Sequence, residues 1–559
     1  MSEAIESVWR YHNESKHHFS GYAPSPGFLD WDFQPNPFRH YAGSRRVTLA
    51  RNASNREITY TDLFSGSAIP AASVNEASLG YFFEHSLALS AWKADNHDSW
   101  SLRVNPSSGN LHPTEAYLLI FRTISKQLPA GVYHYSPYFH ALEQRTVFDA
   151  EIEQYFSSVR PDIFAALGLS SIHWREEWKY GARAFRYCQH DVGHALASAQ
   201  FAARLLGWTN QVDTDIGDKQ LSRLLGLNLI EAPAEKECPD LLLYLSMQKN
   251  TSENPNRIKA DIDWPFVESR ISDWRGKANI LSKERAHWPQ VAQAEKATEK
   301  HDADTASAYL PFIDTGGNSE DLVSSPSASV DASHIIRQRR SAQRMLKSEG
   351  TNAQDFFSIL YRCLVQPGHP CFDGFTPNPA VHFVIFVHDV DNLEPGLYCL
   401  IRNKNDESVL KSAIRKSTFR WIKQAPEKLP LYLLEPNDFR KTASKLSCYQ
   451  AIAGHSAFSL SMLADMQVME DEGAWAYRRL YWEAGILGQI LYLEAEARRL
   501  SGTGIGCYFD DGVHDLLGLE PNGRWQAIYH FTVGKARQDD RLTMRPAYHH
   551  LEPGEESAV

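Results

Sequence analysis

The feature that most constrains this chain is that its two halves carry the same turns and helix ends at the same spacing. In the first half the apolar run EAYLLIF is followed by LPAGVYHY, and in the second VHFVIFV is followed by LEPGLYCL. Tyr117 lies fourteen residues before Gly131, and His382 lies fourteen before Gly396. Farther on, DVGHALASAQFAARLLG and EAGILGQILYLEAEARRLSG both show helical periodicity with small residues at their starts. Each then reaches a second helix ending in Leu-Leu-Gly-Leu, so that Gly193 to Gly226 and Gly485 to Gly518 are both 33 residues. Leu-Leu-Gly alone is a common helix ending. Two shared spacings in the same order mark a duplication.

Both halves run helix, strand, β-turn, strand, long helix, short helix and a late strand (LLLYLSM and AIYHFTVG). Helices set apart from a mostly antiparallel set of strands predict an α+β fold. Two fused copies are expected to pack as a homodimer does, about a pseudo-twofold axis within one chain. From Ala294 to His334 the apolar periodicity gives way to Ser, Asp, Gly and Pro, the composition of a linker. The expected division is therefore a domain over 1–293, a linker over 294–334 and a domain over 335–559, in keeping with a length of 559 residues.

A composition of 43% hydrophobic and 22% charged residues is that of a globular protein. A formal net charge of −11 argues against a nucleic-acid or anionic-membrane binder, since those surfaces demand basic patches. No signal-peptide core and no run of about 20 apolar residues is present, so a cytoplasmic location is expected. The seven cysteines are scattered and form no CxxC pair, which suits a reducing compartment with neither disulfides nor a structural zinc.

The most polar punctuation is the turn Pro106-Ser107-Ser108-Gly109-Asn110, directly before an apolar strand. An ordinary strand-entry turn has this composition. The same residues, in PSSGNLHPTEAYL, together with WREEWKYGARAFRYCQHDVGHALASA and the cluster IIRQRRSAQRM, resemble the flavin-dependent nitroreductase superfamily. The closest similarity is to its SagB-type dehydrogenase branch, which includes thiazoline and oxazoline oxidases. The opening YHNESKHH and LDWDFQPNPFRHY resembles the N-terminal extension of that branch. The resemblance implies FMN at an interface that takes ligands from both partners.

It also implies a division of labour between the halves. The fourteen-residue spacing sets Cys371-Phe372-Asp373-Gly374-Phe375 of the second half against the polar turn, without its hydroxyls and amide. The helix spacing sets Gly504-Ile505-Gly506 against Val212-Asp213-Thr214 of the first half. Likewise RRSAQR opens the second half against a diluted RNASNR, and TVGKARQDDR closes it against LSMQKN. One complete site can be assembled, and the resemblance implies one FMN per chain. Pro106, Ser107, Ser108, Gly109 and Asn110 would meet Arg339, Arg340, Ser341, Gln343, Gly504, Gly506, Lys535 and Arg541. Guanidinium forks suit a phosphate, glycines allow close backbone approach, and Ser and Asn can pair the ribityl hydroxyls. Gln343 departs from the family, where a basic residue is common, and Arg344 is one step off.

Lys179-Tyr180 matches a pair thought to be catalytic in azoline oxidases, where a tyrosine lowered by the neighbouring ammonium, or a desolvated lysine, would serve as base. The second half has Asp471-Glu472 at the corresponding place. The implied substrate is a small molecule or modified peptide. Three other readings stay open: an NAD(P)H-dependent nitro or quinone reductase, a pseudoenzyme or scaffold, and a zinc hydrolase built on His190 and His194. The last lacks the required glutamate, since Asp191 stands there.

Overall fold

The central strands of the two halves, Thr114–Ile120 and Val381–Val387, have no exposed residue. Successive strand residues face opposite sides of a sheet, so a run without polar alternation needs cover on both faces. The computed structural model describes residues 2–52, 56–64, 69–95, 97–247, 262–301, 330–375, 377–424, 426 and 428–551, and it supplies that cover. Ala116, Leu118 and Ile120 share one continuous core with Phe383, Ile385 and Val387 of the other half. Leu119 faces an outer core of the first half, and Val384 and Phe386 face an outer core of the second.

Each half contains a seven-stranded sheet, and every neighbouring pair of strands is antiparallel. The first runs in space Arg45–Thr48, Ala141–Val147, Gly131–Ser136, Thr114–Ile120, Ile163–Ser171, Cys238–Ser246, Thr209–Val212. The second repeats it as Ile422–Lys423, Leu431–Pro436, Gly396–Leu400, Val381–Val387, Phe458–Asp465, Trp525–Gly534, Ser501–Ile505. The fold is α+β, a tandem pair of the same unit. Only the first edge strand enters from a different place in the chain.

Two helices of 22 residues, Ala184–Leu205 and Ala476–Ala497, lie between the sheets. Both are buried almost throughout, as suits helices with small or apolar residues around most of their circumference. They cross at Gly193 and Gly485, where a Cβ on either would collide with the backbone of the other helix, at Trp482 O and His190 O. Residues 292 positions apart thus touch each other, and self-contact of equivalents is the mark of a twofold axis. The same spacing holds for the short helices Asp218–Leu225 and Asp510–Leu517, both ended by a left-handed glycine, Gly226 and Gly518, at φ +69°.

The hairpins do not keep the spacing read from sequence. Ile120 pairs with Gly131, whereas Val387 pairs with Gly396, so the second hairpin is two residues shorter. The central strands therefore correspond at 267 positions rather than 265. The equivalents of Pro106, Ser107, Ser108 and Asn110 become Asp373, Gly374, Phe375 and Pro377, which still lack a hydroxyl or amide.

Each half also reaches across to the other. His12, on the N-terminal helix Glu3–Glu14, bonds Tyr477 Oη at 3.1 Å and Gln526 Oε1 at 3.0 Å. In return Thr543–Arg545 pairs with Leu89–Ala94, and Tyr548 Oη accepts the N–H of Leu89 at 3.2 Å. Of the linker expected over 294–334, residues 302–329 lie outside the described residues, and its flanks are helical at Pro289–Ala297 and Ala332–Gln338. Among the described residues no helix is long and apolar enough to cross a membrane.

Candidate active site

The polar turn is held by its own hydrogen bonds. Ser107 Oγ accepts the N–H of His112 at 2.8 Å, and Gly109 and Asn110 are both left-handed, at φ +57° and +61°. Asn110 Nδ2 donates to Ser101 O at 2.9 Å, and its Oδ1 pairs with His112 Nε2 at 3.0 Å. The amide expected to meet a cofactor is thus engaged inside the turn, because a left-handed residue here folds its side chain back on the preceding strand. Ser108 donates from both N–H and Oγ to the buried carboxylate of Asp191, at 3.0 and 3.1 Å.

Opposite this turn stands the strand Ser501–Ile505 with Gly506 and Cys507, and between the two walls is a cleft of about 270 Å³. Pro106, Ser107, Ser108 and Gly109 of the first half and Ser341, Gly504 and Gly506 of the second all line it. A Cβ on Gly504 would strike Tyr529 Oη, and one on Gly506 would strike the Tyr187 ring. The glycines therefore make room for two tyrosines that also line the cleft. Tyr492 Oη ties the wall together, 2.8 Å from Ser341 Oγ and accepting the Gly504 N–H at 2.9 Å.

Behind Ser341 is a cluster of cations. Arg339 Nη2 donates to Val104 O at 3.1 Å, and Arg340 Nη2 donates to Ser90 O at 3.0 Å. The Nε of each guanidinium is buried without a hydrogen-bond partner among the described residues. Burial and the neighbouring Arg339 bring Arg340 down to about 10, and burial with Arg340 and Arg339 lowers Lys93. The Glu496 carboxylate, itself raised by burial, acts on both arginines, and three cations beside one carboxylate leave room for a further anion. Arg339 and Arg340 stand behind the cleft rather than lining it, and three more of the expected members lie away from it. Gln343 is exposed, Lys535 is exposed with its carbonyl accepting Leu346 N–H at 2.8 Å, and Arg541 is exposed and paired with Asp539 at 2.6 Å. Gln343 and Lys535 face outward beside the buried Ala342 and Gly534, and Arg541 lies in a stretch, 535–547, that has no buried residue.

Lys179 and Tyr180 end the helix His173–Tyr180, stopped by left-handed Gly181. Gly109 faces them closely: a Cβ there would lie 2.5 Å from Tyr180 Oη and 3.2 Å from Lys179 Nζ. The turn and the pair are one surface, and Tyr180 lines the cleft. The expected lowering of the tyrosine does not occur. Burial, followed by the carboxyl of Glu176, pushes the Tyr180 phenol well above its ordinary range. Glu176 is itself raised by burial and by Asp191, and neither of its oxygens has a hydrogen-bond partner among the described residues. Asp191, in the cleft wall, is pushed up to about 7 by burial, against the bonds from Ser107 and Ser108.

Sequence reading missed Lys93, Tyr187, Asp191, Tyr492, Tyr529 and Cys507. The only available signal was Asp191 in HDVGH, taken there as a failed zinc motif. His190 stacks on Tyr529 at 4.1 Å, and His194 Nε2 lies 3.1 Å from Tyr529 Oη. Among the described residues, neither belongs to a cluster of three groups able to share an ion.

The pseudo-symmetric place is filled by the chain itself. Gly374 O accepts the Val212 N–H at 2.8 Å, and Gln200 Nε2 bridges Asn210 Oδ1 and Cys371 O, both at 3.0 Å. Phe375, Trp475, Arg479 and Trp482 close in on what remains, a space of about 20 Å³.

Residues 379–535, the strands and long helix of the second half, match the model of the Nitroreductase family. The second half of the chain is thus similar to that family. Superfamily members are oxidoreductases. The crystal structure of a candidate nitroreductase from Anabaena variabilis shares the fold, with a TM-score of 0.65 and 20% identity over 95% of this chain and 99% of that one. The Trifolitoxin-processing protein TfxB of Rhizobium leguminosarum bv. trifolii is 34% identical over 110 residues. That match takes in 18% of this chain and spans only 29% of the curated relative's length.

Proposed function

We propose that this protein is a member of the nitroreductase superfamily and an FMN-dependent dehydrogenase of the SagB type, oxidising an azoline ring or a related C–C or C–N bond in a peptide-derived substrate. The observation that supports it most is the cleft between a hydroxyl-bearing turn of one half and a glycine strand of the other, with Tyr180 in its wall and Lys179 beside Gly109. Similarity to a trifolitoxin-processing protein fits a peptide-derived substrate.

The residues present fit FMN. Arg339 and Arg340, with unpaired Nε donors, and Lys93 beside them would hold the phosphate. Ser107, Ser341 and Thr503 would pair the ribityl hydroxyls. When bound, FMN supplies a hydride acceptor. The chain's own task is then to position the substrate and to take the accompanying proton. Tyr180 keeps its proton near neutral pH and donates a hydrogen bond from Oη. Asp191, which changes charge near pH 7, takes the proton at its carboxylate, and the Arg103 guanidinium favours that charge.

Asp191→Asn should retain FMN while dehydrogenation falls by about 10²–10⁴, the usual share of acid–base groups, and Lys179→Ala and Tyr180→Phe should each retain FMN and lower dehydrogenation as well. Flavin released from a known amount of native protein should give one FMN per chain, since the second place is closed. Full turnover by both variants would remove the pair from the reaction, a ratio of two would refute the single site, and brisk NAD(P)H oxidation by native protein would favour a reductase.

A further inference from the structure

Three side chains far apart in sequence meet beside the cleft, one of them, Cys507, in its wall. The ligating atoms of His17, Cys448 and Cys507 all lie within 4.8 Å of one another. Cys507 follows Gly506 in the cleft wall, and its backbone is pinned on both sides. Gly506 O accepts Tyr187 Oη at 3.0 Å and Arg183 Nη2 at 3.1 Å, and Cys507 O accepts Gln450 Nε2 at 3.3 Å. Cys448 sits in a turn where it and Tyr449 are both left-handed, at φ +51° and +59°. Both cysteines are free and half-buried.

The His17 ring is fixed in one tautomer. Its Nδ1 accepts the Ala23 N–H at 2.8 Å, so the ring proton is on Nε2, and burial keeps the ring neutral by lowering its pKa. The ring thus offers the sulfurs an N–H rather than a lone pair. Metal ligation would require moving that proton to Nδ1, against the Ala23 N–H.

We propose that Cys507 and Cys448 form a redox-active dithiol beside the cleft, with His17 as hydrogen-bond donor to Cys507, and that its reactants are low-molecular-weight disulfides. The Cys507 thiolate attacks one sulfur of R–S–S–R, forming a protein–S–S–R bond and releasing RS⁻, which takes up a proton. Cys448 then loses its proton and attacks the Cys507 sulfur, forming the Cys448–Cys507 bond and releasing the second RS⁻. In sum two protein thiols are oxidised and one small disulfide is reduced to two thiols. The polarity of the pair supports these roles. The Cys448 hydrogen bond, then His17 and Arg183, bring the Cys507 thiol down to about 5 against burial, while the bond to Cys507 raises Cys448. The other groups facing them are Asp510, paired with Arg183 at 3.0 Å, and the phenols of Tyr22, Tyr180 and Tyr187, all raised by burial. Because Gln450 and Cys507 both line the cleft, the disulfide would tie the Cys448 turn to the cleft wall and restrict entry.

The full chain as purified, treated with oxidised glutathione, should yield a Cys448–Cys507 linked peptide and release two glutathione thiols per chain. Cys448→Ser, which leaves the attacking sulfur in place, should instead trap glutathione on Cys507. Iodoacetamide should label Cys507 of native protein at pH 6 about tenfold faster or more than in His17→Ala, since reactivity follows the thiolate fraction. No linked peptide, glutathione trapped on another cysteine, or unchanged labelling in His17→Ala would overturn the proposal. So would one zinc retained per native chain and lost in Cys507→Ser.

Discussion

The Asp191 carboxyl accepts hydrogen bonds from Ser108 N–H and Oγ yet titrates near pH 7, because burial outweighs both. Its folded pKa lies above the unfolded value of about 3.9, so between those two pH values the folded state binds more protons. Stability from this group is fully present below about pH 4 and is lost as pH rises through about 7. Three pH units correspond to a loss on the order of 4 kcal/mol. Asp191→Asn should therefore make the protein more stable than wild type at pH 8 but little different at pH 4, read by urea unfolding at both values, while turnover is lost. Equal stability at pH 8 would mean that water reaches the carboxyl. A buried carboxyl that weakens the fold at neutral pH is what a proton acceptor in a cleft wall requires.

Among the elements, the crossing of the two long helices depends on Gly193 and Gly485. In an exposed helix, replacing Gly by Ala stabilises by about 1 kcal/mol. Here the sign should reverse: a Cβ on Gly485 would lie 2.8 Å from Gly193 Cα and collide with His190 O, so the backbones would have to separate. Gly485→Ala should cost about 1–3 kcal/mol, the range for overpacking, in chemical denaturation. His190 and Asp191 lie one turn from the crossing, so flavin retention should fall with it. A stabilised variant would show that the crossing has slack. The strand Ser501–Ile505 makes the complementary point, since its glycines give their space to Tyr529 and Tyr187 rather than leaving it open.

For the whole molecule, Asp510 joins the halves. Its carboxylate accepts from Arg183 at 3.0 Å and Arg186 at 2.6 Å, both on the first half, and from the His17 N–H at 3.0 Å. All three side chains of the ion triad are buried, and the two guanidiniums hold the Asp510 carboxyl far below the usual carboxylate range. A depressed carboxylate contributes stability above its unfolded pKa of about 3.9, lost as pH falls below it. Asp510→Ala would leave two buried cations unpaired, and it should cost about 3–5 kcal/mol at pH 7, with one cooperative transition for both halves. If each half then melted separately, the shared core would not couple them as the packing implies.

Sequence alone determined the duplication, the α+β class, the 292-residue spacing of the helices and which half kept which wall of the cleft. Those features are local: helix ends, left-handed glycine caps such as Gly226 and Gly518, and the side chains of one turn depend on neighbours in the chain. Tertiary structure decided the rest. The two-residue shortening of the second hairpin is set by pairing of Val387 with Gly396, which periodicity does not encode. The inward amide of Asn110 and the exposure of Gln343 and Lys535 follow from which side of each segment meets the core. The upward shift of Tyr180 follows from burial beside Glu176, a balance of desolvation against charge that no dipeptide reveals. Most distant of all is the meeting of His17, Cys448 and Cys507, which the fold alone brings together, because arms exchanged across the twofold axis place residues from opposite ends of the chain beside one cleft wall.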